Sequence, residues 1–203
     1  VLLPCHFYTY FLKTRKKKTQ HTALESIRIG TSGSLQDDIP VDSIVLGEYG
    51  LGFDGLLHFY DSQEIMETVL EEAFINHTQY PEERARPYIV QCDNDLKHQL
   101  MSNEIFSGIT ATAAGFYGPQ GRVLRLALSD ALMNQKIDSF QFGKLRITNL
   151  EMESAAIYGL SKLLGHKAVS MNAIIANRSN LTFSQDPYAA VENLISYTLE
   201  RLT

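Results

Sequence analysis

The stretch Thr148-Asn149-Leu150-Glu151-Met152-Glu153-Ser154-Ala155-Ala156 is where a polar segment gives way to a helical pattern. Counted from Met152, the apolar positions Ala155, Ala156, Gly159, Leu160, Leu163 and Leu164 fall at +3, +4, +7, +8, +11 and +12. That spacing is one helix face held for three turns. Asn149 is placed to cap the helix and Gly165 to end it. Glu151 and Glu153 admit two readings. Acids in a first helical turn are favoured by the helix dipole and need no further role. They are also placed to serve a site at the mouth of the helix. If the helix begins this early, residues two apart point about 200° apart. Glu151 and Glu153 then flank Met152 on opposite sides.

Outward from this point, the chain alternates strand-like and helix-like segments. Upstream lie strand patterns ending near Arg28-Ile29, over Asp42–Glu48, Tyr88–Cys92, Ile105–Ala113 and Phe140–Ile147. Helical patterns cover Ile65–Phe74 and Asp93–Met101, the second capped by Asp93 or Asn94. Downstream come a buried strand over Ala168–Ala176 and a helix opened by Pro187, with Tyr188, Val191, Leu194, Ile195, Thr198 and Leu199 as its inner face. Such alternation predicts an α/β fold, a sheet layered by helices. His58 lies among apolar neighbours and reads as a satisfied core or interface histidine.

Composition narrows the function classes. The 203 residues fit one domain of ordinary polarity, 44% hydrophobic and 20% charged. A net charge of -5 argues against a nucleic-acid partner. Cys5 and Cys92 lack metal-ligand or redox spacing and suit a reducing, cytoplasmic setting. Residues 1–23 form an atypical segment, an aromatic-rich run followed by the basic cluster Lys13–Lys18. It has neither the charge order of a signal peptide nor the length of a membrane span.

Three loops that leave strands carry chemistry. Arg28-Ile29-Gly30-Thr31-Ser32-Gly33 combines a cation with small hydroxyl and glycine residues that can hold an anion. Phe116-Tyr117-Gly118-Pro119-Gln120-Gly121-Arg122 offers an aromatic face, an amide and a guanidinium for a planar polar ligand, or is a surface turn with incidental polar residues. Glu151-Met152-Glu153 is the third. Together, in this order and followed by Asn177-Arg178, they resemble the nucleoside phosphorylase superfamily of the uridine phosphorylase type, over Leu24 to the C-terminus.

The resemblance implies a three-layer α/β/α fold with a mixed central sheet and a reaction, phosphorolysis of a pyrimidine nucleoside such as uridine to free base and ribose 1-phosphate. It implies phosphate held by Arg28 and Thr31, and ribose held by Thr31, Glu151, Met152 and Glu153. Arg28 and Glu153 are the implied catalytic pair. The implied base-binding residues are Ser32, Gly33, Phe116, Gln120, Arg122, Ile175 and Arg178. Inorganic phosphate is a co-substrate, and neither a cofactor nor a metal is called for. Purine-specific relatives place an acid where Asn177-Arg178-Ser179 stands here, which favours a pyrimidine. A homo-oligomer is expected, dimer-based and hexameric in the family, without nucleic acid or membrane. The family's further phosphate-binding block has no match in residues 1–23, so residues 24–203 read as an incomplete, N-terminally truncated domain of doubtful activity. A non-catalytic nucleoside-binding relative, a degraded one, a nucleosidase and a purine nucleoside phosphorylase are the alternatives.

Overall fold

A computed structural model describes residues 20–202. Cys5, the basic cluster and most of the atypical segment lie outside these residues. Among the described residues eight strands occur: β1 Glu25–Ser34, β2 Ile44–Gly52, β3 Tyr88–Gln91, β4 Phe106–Thr112, β5 Gln141–Phe142, β6 Leu145–Glu151, β7 Lys167–Asn177 and β8 Thr182–Phe183. Between them run α1 Thr68–Thr78, α2 Asn94–Leu100, α3 Met133–Asp138, α4 Ser154–Leu163 and α5 Pro187–Leu202.

The α/β fold is the one expected, and its sheet is mixed. β2 runs parallel to β4, β4 to β6, and β1 to β7, whereas β1 is antiparallel to β6. Antiparallel pairing of Ile44–Gly47 with Ser170–Ala173 then joins β2 to β7, so five strands close on themselves. β2 can serve both neighbours because it is irregular. Its pairing with β4 slips between Gly47 and Tyr49, and beyond the slip Tyr49–Gly52 pairs with β3. The slip leaves peptide groups in need of partners, and Tyr158 of α4 supplies them. Its buried hydroxyl donates to the Gly47 carbonyl at 2.7 Å and accepts the Ser170 N–H at 2.8 Å. Gly47 must be glycine for this contact, since a Cβ there would lie 3.0 Å from that hydroxyl and 2.6 Å from the Thr110 hydroxyl.

Helix α4 lays Ala155, Tyr158 and Gly159 on a core that includes Leu46, Leu57, Tyr88, Val169 and Met171. A second core, Leu51, Phe74, Ile89, Ile109, Phe140, Ile147 and Leu150, lies under α1 and α3. α2 starts as expected, with the Asp93 carboxylate accepting the Leu96 N–H at 3.0 Å.

Several expectations are corrected. The helix after β6 starts at Ser154, not at Met152, because Asn149 is a buried strand residue and caps nothing. Its buried face is Ser154, Ala155, Tyr158 and Gly159, so Met152 and Leu164 stay exposed. Gly165 does end it, in a left-handed conformation with φ 72°. The Phe140–Ile147 strand is broken by a turn at Gly143, also at positive φ, into β5 and β6. α5 buries Ala190, Leu194 and Thr198, leaving Tyr188 and Leu199 exposed. His58 is exposed, its ring nitrogen 2.9 Å from the Arg86 carbonyl oxygen.

Tyr158→Phe tests the closure. It leaves a buried carbonyl and a buried N–H without their partner, at a cost of about 1–3 kcal/mol. For a chain of this size each kcal/mol lowers the melting temperature by roughly 2–4 °C. A thermal melt of Tyr158→Phe matching the native protein would show that the hydroxyl does not hold the β2–β7 seam.

Candidate functional site

The anion-holding loop expected after Arg28 is not a loop. β1 continues through Gly30-Thr31-Ser32-Gly33 to Ser34, paired with β7 along its length. Arg28 reaches across to that partner strand. Its Nη1 donates to Ser170 Oγ at 3.2 Å and to Asn172 Oδ1 at 2.9 Å. Gly30 makes room, because a Cβ there would sit 2.5 Å from Nη1. The other nitrogen, Nη2, lies 2.5 Å from Glu153 Oε2 and 3.2 Å from Glu151 Oε2. A strand-borne cation and the two acids of the β6–α4 junction therefore meet.

The acids differ in what else they bind. Glu151 ends β6, beside Thr112 of β4, and its side chain is 2% exposed. Thr112 Oγ1 donates to its Oε1 at 2.6 Å, and the Glu153 and Ser154 amides donate to its Oε2 at 2.8 and 3.0 Å. Those amides face the positive end of the α4 dipole, so this carboxylate is the cap of the helix. Glu153 is 54% exposed and points its carboxylate at Arg28. The two acids are thus distinguished by hydrogen bonding; the helical angle expected from the sequence does not apply, since neither stands on a helical turn.

Not every expected residue joins this cluster. Burial alternates along β1, with Ser32 and Ser34 inside and Ile29 and Thr31 exposed. Arg28 and Thr31 thus stand three residues apart on a strand, not in a loop, with Arg28 half-buried and Thr31 exposed. Ser32 is buried, its hydroxyl accepting from Asn149 Nδ2 at 2.9 Å. Met152 is half-exposed beside Glu153. Ile175 is half-buried near the end of β7, its carbonyl accepting the Ser184 N–H at 2.9 Å.

The aromatic loop follows β4, whose end lies beside the end of β6. It is held from both sides. The Arg122 guanidinium lies 3.9 Å from the Phe116 ring centroid and donates to the Phe116 carbonyl at 2.6 Å and to Gln120 Oε1. From the far side, Arg178 Nη2 donates to the Gln120 carbonyl at 2.5 Å, and Asn134 Nδ2 donates to it at 3.1 Å. Arg122 thus holds the buried Gln120 side chain by its oxygen. Gly33 lies beneath Arg178, where a Cβ would be 3.4 Å from Arg178 Cδ. Asn177 offers no acid: its Nδ2 donates to the Gln36 and Ile39 carbonyls and its Oδ1 accepts the Ser179 and Asn180 amides.

On the other flank of the aromatic loop opens a cleft of about 1080 Å³ walled by Phe53, Tyr80, Arg84, Tyr117, Arg122 and Met133. Arg28, Thr31 and Glu153 do not line it. Among the described residues no group of three or more His, Cys, Asp or Glu could hold a metal, and no helix is long and apolar enough to cross a membrane. Sequence reasoning missed Thr112, Ser170, Asn172 and Asp138. For the first three a signal existed, a polar residue inside an otherwise apolar strand; Asp138 carried none.

The profile of the phosphorylase superfamily matches residues 19–199. A uridine phosphorylase from Thermococcus kodakarensis is 24% identical over 159 residues, 78% of this chain and 50% of that protein. A Trypanosoma brucei nucleoside phosphorylase, described as showing uridine phosphorylase activity, superposes with a TM-score of 0.75 at 24% identity, covering 93% of this chain and 69% of that one. Uridine phosphorylase from Schistosoma mansoni gives a TM-score of 0.58 at 24% identity, covering 89% and 60%. The chain thus spans about half the length of the curated relative it matches. At these identities the structural likeness speaks for the fold, and the profile match over most of the chain speaks for descent. This chain belongs to the phosphorylase superfamily.

Proposed function

We propose that this chain carries the ribose and base sites, and one phosphate-binding cation, of a pyrimidine nucleoside phosphorylase, a pentosyltransferase acting on uridine-like substrates. The observation that carries the reading is the meeting of Arg28 with Glu153, a cation anchored on β7 facing an accessible carboxylate that has no other role in the fold. The named activity of the relatives from Thermococcus kodakarensis and Trypanosoma brucei supports it.

In this reading phosphate takes the place of Glu153 on Arg28 Nη2, in a charge-assisted bond that sets its line of attack. The freed Glu153 carboxylate accepts the ribose hydroxyls and stabilises the positive charge that develops on the sugar as its bond to the base stretches. A phosphate oxygen forms the new bond to C1′. The electron pair of the C1′–N1 bond leaves with the base, whose anion then takes a proton from water. Gln120 and Arg122, with Phe116 against the ring, receive that anion. Asn177 is buried, engaged through its amide and not an acid, so it cannot protonate a purine ring, which supports the pyrimidine reading. A homo-oligomeric, cytoplasmic protein belongs to the same reading.

The purified chain, given uridine and phosphate, should release uracil and ribose 1-phosphate. Free ribose without a phosphate requirement would identify a nucleosidase, and uridine binding without turnover a non-catalytic subunit. Glu153→Gln should lower kcat by about 10²–10³-fold, the usual effect of removing one group that stabilises transition-state charge, with an unchanged melt. Glu151→Gln should behave differently, destabilising the fold by about 1–3 kcal/mol because buried donors lose their charged acceptor. For Arg122→Ala, steady-state kinetics should show a larger loss in uridine turnover than any loss in thermal stability; equal losses would make the loop purely structural.

A further inference from the structure

Asp138 ends α3, the helix whose Asn134 already reaches the Gln120 carbonyl, and so lies near the aromatic loop. Gln36 makes the junction. Its side-chain NH₂ donates to the Asp138 carbonyl at 3.1 Å, and its own carbonyl accepts from Asn177 Nδ2 at 2.8 Å. The neighbouring Ser34 carbonyl accepts the Arg178 N–H at 2.9 Å. The end of α3 and the turn that carries Arg178 thus hang from one short segment after β1.

Charge then requires a partner. Arg178 and Arg122 both converge on Gln120, one on its carbonyl and one on its side chain. Burial and the nearby Arg122 both pull the Arg178 pKa below its usual value, and Asp138 opposes them. Arg178 Nη1 and Asp138 Oδ1 are both buried and lack hydrogen-bond partners. The two form no direct ion pair, so the need of this buried donor and this buried acceptor of opposite charge is met by a bridging water between them. The other charged groups around α3 are already engaged. Lys136 of the same helix pairs with Asp130 at 2.9 Å, Arg146 of β6 pairs with Asp38 at 2.6 Å, and His77 of α1 bonds Ser139 Oγ at 2.9 Å.

We propose that Asp138 is a positioning residue for the base site, the counter-ion that keeps Arg178 on the Gln120 carbonyl and so fixes the amide that reads the base. The proposal rests on the reading of Phe116, Gln120 and Arg122 as the base site. It acts through Arg178 and not on the substrate, so its mark is on nucleoside binding and not on phosphate binding.

Burial pushes the Asp138 carboxyl up to about 6 from an ordinary 3.8, against the pull of Arg178. A carboxyl raised in the folded state binds more protons there than when unfolded, so stability from this group falls as pH rises from the ordinary value through 6. Above that, the ionised form is kept at a cost to the fold. Asp138→Asn removes the cost, and its melting temperature at pH 7.5 should be no lower than that of the native protein.

The function should move the other way. At pH 7.5 Asp138→Asn should raise KM for uridine about tenfold, the scale of one lost charge-assisted anchor, with KM for phosphate unchanged. The native protein should show its uridine KM rising below about pH 6, as Asp138 takes up its proton, and the variant should lose that limb. In an Arg178→Met background, Asp138→Asn should add nothing. Hydrogen exchange on the native chain and on Asp138→Asn gives a readout without turnover: the amides of Gln120, Gly121 and Arg122, bonded to Tyr117 and Gly118 carbonyls, should exchange faster in the variant. If the native chain turns over no uridine, the proposed activity fails while the exchange measurement still judges Asp138. Unchanged exchange at those amides, or equal rises in both KM values, would overturn the proposal.

Discussion

The buried carboxylate of Glu151 is the contact on which the arrangement of the site depends. It receives the Thr112 hydroxyl from β4, the first amides of α4 and one nitrogen of Arg28 from β1. Taking a carboxylate out of water is costly unless donors surround it, and here each donor comes from a different element. β4, β6, α4 and β1 are therefore fixed to one another at a single point. Thr112 extends the contact, since its hydroxyl oxygen accepts the Ala155 amide at 3.0 Å while its proton goes to Glu151. The position of Glu153 follows from this. Its own amide is tied to Glu151, so its side chain leaves the junction in one direction, towards Arg28.

Closure of the sheet answers to the same need for paired polar groups. Bringing β2 onto β7 removes an open edge, but the slip at Gly47 strands a carbonyl that only a side chain from outside the sheet can reach. Tyr158 reaches it from α4, the helix that Glu151 caps. The cap and the seam are linked through one short helix, ten residues from the capped Ser154 to Leu163, that carries both. Ser154 adds a further tie, its hydroxyl donating to Ser170 Oγ at 2.8 Å, the same atom that accepts from Arg28.

Periodicity made the alternating elements and the end of α4 legible, because burial and glycine at positive φ leave a local trace. The start of α4 was not legible. A cap supplied from the last residue of a strand, through a side chain that folds forward onto the helix amides, has the same composition as an ordinary acidic first turn. Gly30-Thr31-Ser32-Gly33 reads as a loop on composition, yet β7 supplies ladder partners along it and β6 joins at Gly33, which overrides the weak strand propensity of glycine. The site was legible only as a set of motifs. Arg28, Gln120, Arg122 and Glu153 stand within short distinctive runs, but their supports Asn172, Thr112 and Asp138 come from elsewhere in the chain, where nothing local distinguishes a polar residue that serves a site from one that serves the core.

The two ends of the site show one electrostatic design used twice. Arg28 is held between neutral acceptors on β7 and acids at the helix mouth, and Arg178 between the Gln120 carbonyl and Asp138. In each case a buried or half-buried cation is kept in place by groups already present, so it does not have to be ordered when a ligand arrives. The difference lies in accessibility. The acid facing Arg28 is half-exposed and exchangeable, whereas the acid near Arg178 is partly buried, with one carboxylate oxygen fully covered. A cation whose partner can be displaced suits an incoming anion, and a cation whose partner is fixed suits the holding of a loop. That asymmetry follows from where the fold places the two carboxylates, one at the open start of a helix and one at the partly covered end of another.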